Sequence, residues 1–549
     1  MLYLLLSLFS VVLLLLGWGN LFEKILADFW NGISAKLFRG ILCISVLSSI
    51  VAFFAPLNIQ YEIVIIFIGV LGLLKNRSNV YNDLGFLRNK TFLLFAFIVI
   101  VITTFAPFIN DHFSYYLSTI SWLNDFGLVK GISNVSLILG QQSTWHIFQS
   151  SIDTIIDPFM RVNATVLLLF VLYAIENKQK ELLVLVPLFL LFVQSPSPDL
   201  IIYTISMIIT LELLKKSPNY TSLWLVSLFL CTIKPTVFWL PIFVFVLAIK
   251  ENSKSLFSRN NILFSVSIIL PFFTKQLWCF GDILFPLQTN FFALDWSPNA
   301  QLLESSNKIA VLKTYDFQYK YAEIVRWNSV EQIYRWFTLS GFKSIIHFYI
   351  ILTLLAFGIV SYVKRNKNFV ILWICIFLKT IVIFYISGQY RFMLDGILIL
   401  TILLIKCVKI PPKYFFATSL VGCGLVFMAL LFPPLLQENV KSFRGSRFMN
   451  KPEMKQFYKP LESSTVEFHE NSVTNFIFYT PNKKSLMFGT PIPCISKYDI
   501  KKYSEFGMFP VAYDSINLDK GFYFKTLSQK EHEKIRTIES KYPKLKRID

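Results

Sequence analysis

A chain of 549 residues that is 55% hydrophobic and only 15% charged, with a mean hydropathy of +0.57, carries more apolar surface than a soluble globular domain needs. That excludes a soluble enzyme or binding module and predicts a protein of the lipid bilayer. The net charge of +19, from 52 basic and 33 acidic residues, does not point to nucleic acid, because in such a chain it reflects anchors on the anionic inner leaflet.

Apolar runs recur at 2–18, 37–56, 59–74, 91–109, 162–176, 181–194, 199–214, 220–233, 235–249, 261–274, 344–363, 368–387, 391–408 and 414–436. They predict an all-α polytopic fold of about 12 to 14 transmembrane helices, some short enough to tilt or re-enter, where a perpendicular span needs ~20 residues. The first run has no basic residue before it and ends "GWGN" without a small-residue cleavage site, so it reads as a retained helix. Lys and Arg concentrate at 75–90, 177–180, 215–219, 250–260, 364–367 and 406–413, whereas 194–199 and 387–390 are poor in them. With the basic loops cytoplasmic, alternation puts the loops 110–160 and 275–343 and the tail 437–549 on the outer face.

The first outer loop opens "FINDHFSYYL". Asn110 suits an N-cap, and Phe113, Tyr116, Leu117, Ile120 and Leu123 form a stripe at helical spacing, so 111 to about 124 reads as an amphipathic helix on the outer membrane surface. Asp111 then falls in its first turn. There it either complements the helix dipole or serves as a base at the lip of a cavity, with His112 and Tyr115 beside it.

Other outer-face ends of apolar runs also carry charge: Asp199 after "QSPSP", Lys234 in "CTIKPTVFW" and Arg391 after "SGQY". Ionisable groups at such depth are functional candidates, although snorkelling or mutual pairing explains them too. Together these two carboxylates and two cations are suited to hold an anionic head group and to activate a hydroxyl. Tyr115, Trp122, Trp145, Trp278 and Trp296 are placed either to stack on sugar rings or simply to form the interfacial aromatic belt.

The tail, with mixed charge, aromatics and several prolines, predicts a small extracytoplasmic domain of mixed α/β structure from 437 to 549, after a transmembrane domain of 1–436. Cys279 and Cys494 would both face an oxidising compartment, where a disulfide between them is possible; the other five cysteines lie in or beside apolar runs. The sequence holds no CxxC, HExxH, Walker or GxGxxG motif, which argues against a nucleotide-driven machine.

An Asp directly after an early apolar helix, many short spans, an aromatic-rich first outer loop and an outer C-terminal domain resemble the GT-C glycosyltransferases. "NDHFSYYLSTISWLNDFGLVKGISN", "GQQSTWHIF", "QSPSPDL", "TIKPTVFW", "GDILFPLQTNFFALDW", "GQYRF" and "PIPC" are similar to a group of bacterial multi-spanning membrane proteins regarded as GT-C-like. The resemblance implies an enzyme of the bacterial inner membrane, with its active site on the periplasmic face. It would transfer a sugar from a polyprenyl-phosphate-linked donor to a glycan or lipid-linked acceptor. Asp111 would be the base, and His112, Tyr115, His146, Asp199, Lys234, Gln389 and Arg391 would contact substrates, with Lys234 and Arg391 on the lipid phosphate. In that class a divalent cation, Mg or Mn, is the alternative holder of the phosphate. Here Asn110 and His112 flank Asp111 where the class commonly has a second acidic residue, which puts metal dependence in question. A polysaccharide polymerase or ligase, or a lipid-linked glycan transporter or flippase, would use the same charges.

Overall fold

Each apolar run folds as helix, and the chain shuttles between two ends of a bundle. The computed structural model describes residues 1–26, 29–285, 292, 294–408, 410–434, 452–462, 466–482, 487 and 489–542, so the expected domain boundary at 436/437 lies outside the described residues. The helices are α1 (Leu2–Leu21), α2 (Ile33–Val51), α3 (Ile59–Lys75), α4 (Lys90–Thr103), α5 (Leu117–Phe126), α6 (Thr144–Ser150), α7 (Val162–Glu176), α8 (Pro198–Leu213), α9 (Tyr220–Ile233), α10 (Trp239–Lys250), α11 (Arg259–Phe280), α12 (Ala300–Thr314), α13 (Phe342–Val363), α14 (Lys367–Ser387), α15 (Leu394–Cys407) and α16 (Pro412–Leu431). Shorter turns connect them.

Among the described residues six helices, α1, α2, α11, α13, α14 and α16, are long and apolar enough to cross a membrane. A seventh results if α3 and the helix that follows it, bent from it by 104°, form one span; α4, α7, α9 and 235–250 are apolar but shorter. Twelve to fourteen full spans are therefore not what the runs become. The shortening has local causes: Pro235 stops α9, and the run 181–194 breaks into 3-10 and α turns around Pro187. α8 is buried along its whole length and α7 from Val162 to Ala174, as helices apolar on every side must be when neighbours surround them. The perimeter helices instead expose large apolar side chains, among them Phe67, Phe97, Leu263, Leu352, Leu378 and Leu425.

Backbone contact sets the tightest crossing. A Cβ added to Gly17 of α1 would lie 2.0 Å from the Gly69 carbonyl oxygen of α3, and one added to Gly72 would lie 2.0 Å from the Gly17 oxygen. Trp18 closes this crossing by donating to the Ile65 carbonyl at 2.9 Å.

The two ends differ in chemistry. At one end the basic loops are tied together, Lys36 to Asp83, Lys215 to Asn177 and Lys406 to Glu181. At the other, residues from the loop 110–160, from the start of 275–343 and from the C-terminal region share one hydrophobic core that includes Trp122, Leu123, Val135, Cys279, Phe280, Phe478, Phe509 and Phe522. The C-terminal part is mixed α/β as expected. Strands β1 (Phe468–Ser472) and β2 (Ile477–Pro481) pair antiparallel, as do β3 (Met508–Ala512) and β4 (Phe522–Thr526), with helices α17 (Lys497–Glu505) and α18 (Gln529–Ser540) beside them.

Two expectations change here. The stripe on 111–124 does not lie on a surface: Phe113, Tyr116, Ile120 and Leu123 are buried in protein, and Trp122 packs edge-on against Phe522 at 5.8 Å. Protein covers the face that the sequence alone assigned to lipid: Tyr116 packs on His146 and Leu123 joins the core that holds Phe509 and Phe522. Cys279 and Cys494 are both free, the first beside Gln142 and the second beside the Met487 carbonyl, so no disulfide joins them.

Candidate functional site

Four short segments meet where the bundle abuts that second end, and each is shaped by its own sequence signal. In "SPSPD", Ser197 caps α8 by accepting from the Asp199 N–H at 3.4 Å, and Pro198 takes a first-turn position that needs no N–H. Asp199 thus sits at the positive end of the α8 dipole. In "IKPT", Pro235 forces Lys234 out of the helix into extended backbone, φ −150°, which turns it off the end of α9. In "SGQYRF", the Gly388 N–H donates to Thr314 Oγ1 at 2.9 Å and its carbonyl accepts from Trp336 at 2.9 Å. A Cβ on Gly388 would come within 2.9 Å of Thr314 Cγ2, so α12 seats against this turn because residue 388 has no side chain. Arg391 follows in the single 3-10 turn Tyr390–Phe392, its carbonyl accepting from the Tyr203 hydroxyl of α8 at 2.9 Å.

The fourth segment carries Asp111. The backbone is helical from 110 to 126, with a π turn over His112–Tyr116, so Asn110 lies inside the helical stretch rather than capping it. Such wide turns recur at functional sites.

Asp111 Oδ2 accepts from Arg391 Nη1 at 2.6 Å, and Lys234 pairs with Asp199. Arg391 Cζ lies 5.0 Å and Lys234 Nζ 4.8 Å from the centroid of the Phe392 ring, so the two cations are less than about 10 Å apart, the sum of those distances. The Asp111 side chain is 23% exposed and that of Arg391 36%, so the pair is reachable from solvent. Burial works against the Asp111 charge, yet the Arg391 guanidinium outweighs it and holds the carboxyl below its ordinary range. Burial likewise opposes the Arg391 charge, and Asp111 and Asp199 more than restore it.

The other expected site residues divide. Tyr115 lies beside Asp111, where burial and that neighbouring charge raise the phenol and keep it a neutral donor. His112 turns away, its Nδ1 3.1 Å from Ser195 Oγ, and burial lowers its pKa to about 3. His146 is buried against the Tyr116 ring at 4.5 Å and is lowered to about 3 by burial. Both imidazoles are therefore neutral and stand behind the ion cluster. Gln389 donates to Ser387 Oγ at 2.7 Å, inside the Arg391 turn. Of the aromatics considered for sugar stacking, Trp122 and Trp145 are fully buried, and Trp278 and Trp296 donate to the carbonyls of Leu128 and Leu277. Trp122 and Trp145 are packing residues, whereas Trp278 and Trp296 are half-buried.

Three ionisable residues went unnoticed in the sequence. Lys379 of α14 and Asp395 of α15 form a fully buried ion pair whose carboxylate also accepts from Trp239 at 2.8 Å, and Lys379 feels the charge of Lys234. Each interrupts an apolar run, "IFLKTIVIF" and "FMLDGILIL", and that was the available signal. Lys313, at the end of α12, faces both Asp111 and Arg391. It sits in the segment 275–343 among other polar residues, where nothing sets it apart.

The donor set does not suit a divalent cation. No group of three His, Cys, Asp or Glu side chains among the described residues could hold a metal ion, and Asp111 is already engaged by a guanidinium. A hard cation needs several oxygen ligands.

A family profile described as "Domain of unknown function (DUF8201)" matches residues 1–398 and so takes in Asp111, Asp199, Lys234, Lys313 and Arg391. No curated protein and no solved structure matches the chain. With most of its length covered by that profile, this chain belongs to the DUF8201 family.

Proposed function

We propose that the protein is an inverting membrane glycosyltransferase that moves a sugar from a polyprenyl-phosphate-linked donor to a glycan or lipid-linked acceptor. It would work at the outer face of the bacterial cytoplasmic membrane. The observation that carries this reading is the meeting of one solvent-reachable carboxylate, Asp111, with Arg391 and the Lys234–Asp199 pair at one end of an apolar bundle. Six helices of spanning length and a perimeter of exposed apolar side chains support the membrane setting. The basic loops at the opposite end support the orientation.

The chemistry is a direct displacement. The acceptor oxygen forms a bond to the anomeric carbon as the bond from that carbon to the phosphate oxygen breaks, and its electron pair leaves with polyprenyl phosphate. The hydroxyl proton passes to Asp111. The donor phosphate, a diester with one negative charge, becomes a monoester with a second, and Arg391 and Lys234 stabilise charge that exists only as the bond breaks. One base and no enzyme nucleophile imply inversion.

A strain lacking the protein should accumulate an unmodified lipid-linked glycan, and the purified protein should restore its turnover. Asp111→Asn keeps the size and removes the charge; it should fold and insert, yet transfer should fall by roughly 100-fold or more, the usual scale for a lost general base. Near-normal transfer at equal protein level would end the assignment, and binding of the lipid-linked glycan with no turnover by the wild type would make the protein a transporter.

A further inference from the structure

Three cations of the cluster are matched by carboxylates. Arg391 pairs with Asp111, Lys234 with Asp199 and Lys379 with Asp395, three carboxylates against four cations, and Lys313 makes no ion pair or side-chain hydrogen bond among the described residues. Its neighbours make this costly. Burial and the charge of Arg391 push the Lys313 ammonium down, Asp111 opposes them, and Lys502 of α17 also feels the Lys313 charge. The backbone holds it there: Ser387 and Gly388 bind Ala310 and Thr314 at the end of α12, so Lys313 is fixed relative to the Arg391 turn. A cation held beside the solvent-reachable Asp111–Arg391 pair, and itself without an ion pair, is a seat for an anion.

The Asp111–Arg391 bond adds a second point. A carboxylate held by a guanidinium at 2.6 Å is a poor proton acceptor, so the geometry that identifies the base also disables it. An anion arriving beside Lys313 competes for the same guanidinium.

We propose that the donor phosphate seats between Lys313 and Arg391 and takes the guanidinium from Asp111, freeing that carboxylate to accept the proton only when the donor is bound. The inference rests on the lipid-phosphate donor argued above.

The test uses the full chain in lipid nanodiscs and farnesyl phosphate as the probe, with binding measured calorimetrically. Lys313→Gln should weaken binding about tenfold or more, Lys313→Arg should restore it, and Lys308→Gln, on the same helix and already paired with Glu304, should leave it unchanged. Asp111→Asn should bind the probe more tightly than the wild type, and this gain should vanish in the Arg391→Gln background, because the competition is for that one guanidinium. A gain of equal size in both backgrounds would reduce Asp111 to a general field effect and overturn the release of the base. Wild-type binding that Lys313→Gln leaves intact would overturn the phosphate seat while sparing the glycosyltransferase reading. Failure of the wild type to bind farnesyl phosphate at all would overturn both.

Discussion

Asp111 and Asp153 show how opposite surroundings assign opposite states to one side chain type. Asp111 has a guanidinium at bonding distance and stays ionised. Asp153 has the amide of Asn124 at 2.8 Å, but burial, with Glu62 and Asp157 nearby, pushes it up to about 7. The sign of the linkage follows. The folded chain holds this proton more tightly than the unfolded chain, whose Asp has a pKa of about 4, so its contribution to stability is complete below that value. It is lost as pH rises from about 4 to about 7 and is flat above. Asp153→Asn keeps a carbonyl acceptor for Asn124 and should remove this part of the pH dependence. Thermal unfolding in detergent at pH 5 and pH 8 checks it: the wild type should lose more stability between the two than the variant, and equal losses would refute the raised pKa. Asp111, Asp199, Lys234 and Arg391 were all legible in the sequence as charges at the ends of apolar runs. Lys313 was not, because its significance lies in which charges surround it and not in its own segment.

Helices in this protein are placed by two signals that read differently from sequence. Caps and prolines act locally, so the starts of α8 and the turn at Lys234 follow from "SPSPD" and "IKPT". Crossings depend on a partner. Gly17 and Gly424 are both glycines inside apolar helices, yet a Cβ at Gly17 would come within 2.0 Å of the α3 backbone, while none of the surroundings of Gly424 lies within 4 Å. Gly17→Ala should therefore force α1 and α3 apart and lower the melting temperature and the folded yield, at a cost on the order of the 1–3 kcal/mol of an overpacked core. Gly424→Ala should be neutral or slightly stabilising, by up to about 1 kcal/mol of helix propensity. Equal melting temperatures for the two variants in detergent would show that the crossing is not tight. Helix α5 teaches the same lesson in reverse: its apolar stripe is real, but a stripe does not say whether lipid or protein will cover it, and here protein does.

For the whole molecule the basic loops predict which way the bundle faces. With the basic loops cytoplasmic, Ser305 of α12 and the exposed Ser515 of the C-terminal region lie outside, and the exposed Ser255 lies inside. On a cysteine-free background, a membrane-impermeant thiol reagent should label Ser305→Cys and Ser515→Cys in intact cells, and Ser255→Cys only after lysis. The reverse pattern would turn the protein over and move the candidate site to the cytoplasm. Composition and periodicity by themselves determined that the chain is apolar and helical, that its basic loops alternate with loops poor in charge, and that a region of mixed α/β structure follows near the C-terminus, because each of these depends on hydropathy and charge within a single segment. Only the tertiary structure decided how many helices are long enough to span, that α7 and α8 are enclosed by their neighbours, and that two cysteines from distant segments stay apart. It alone also joined Asp111 to Arg391, which are 280 positions apart in sequence, and brought Lys313 to the same pair with no ion pair of its own among the described residues. The physical reason is that Coulomb energy and burial are set by distance in space, and no local pattern carries information about which distant turn will arrive there.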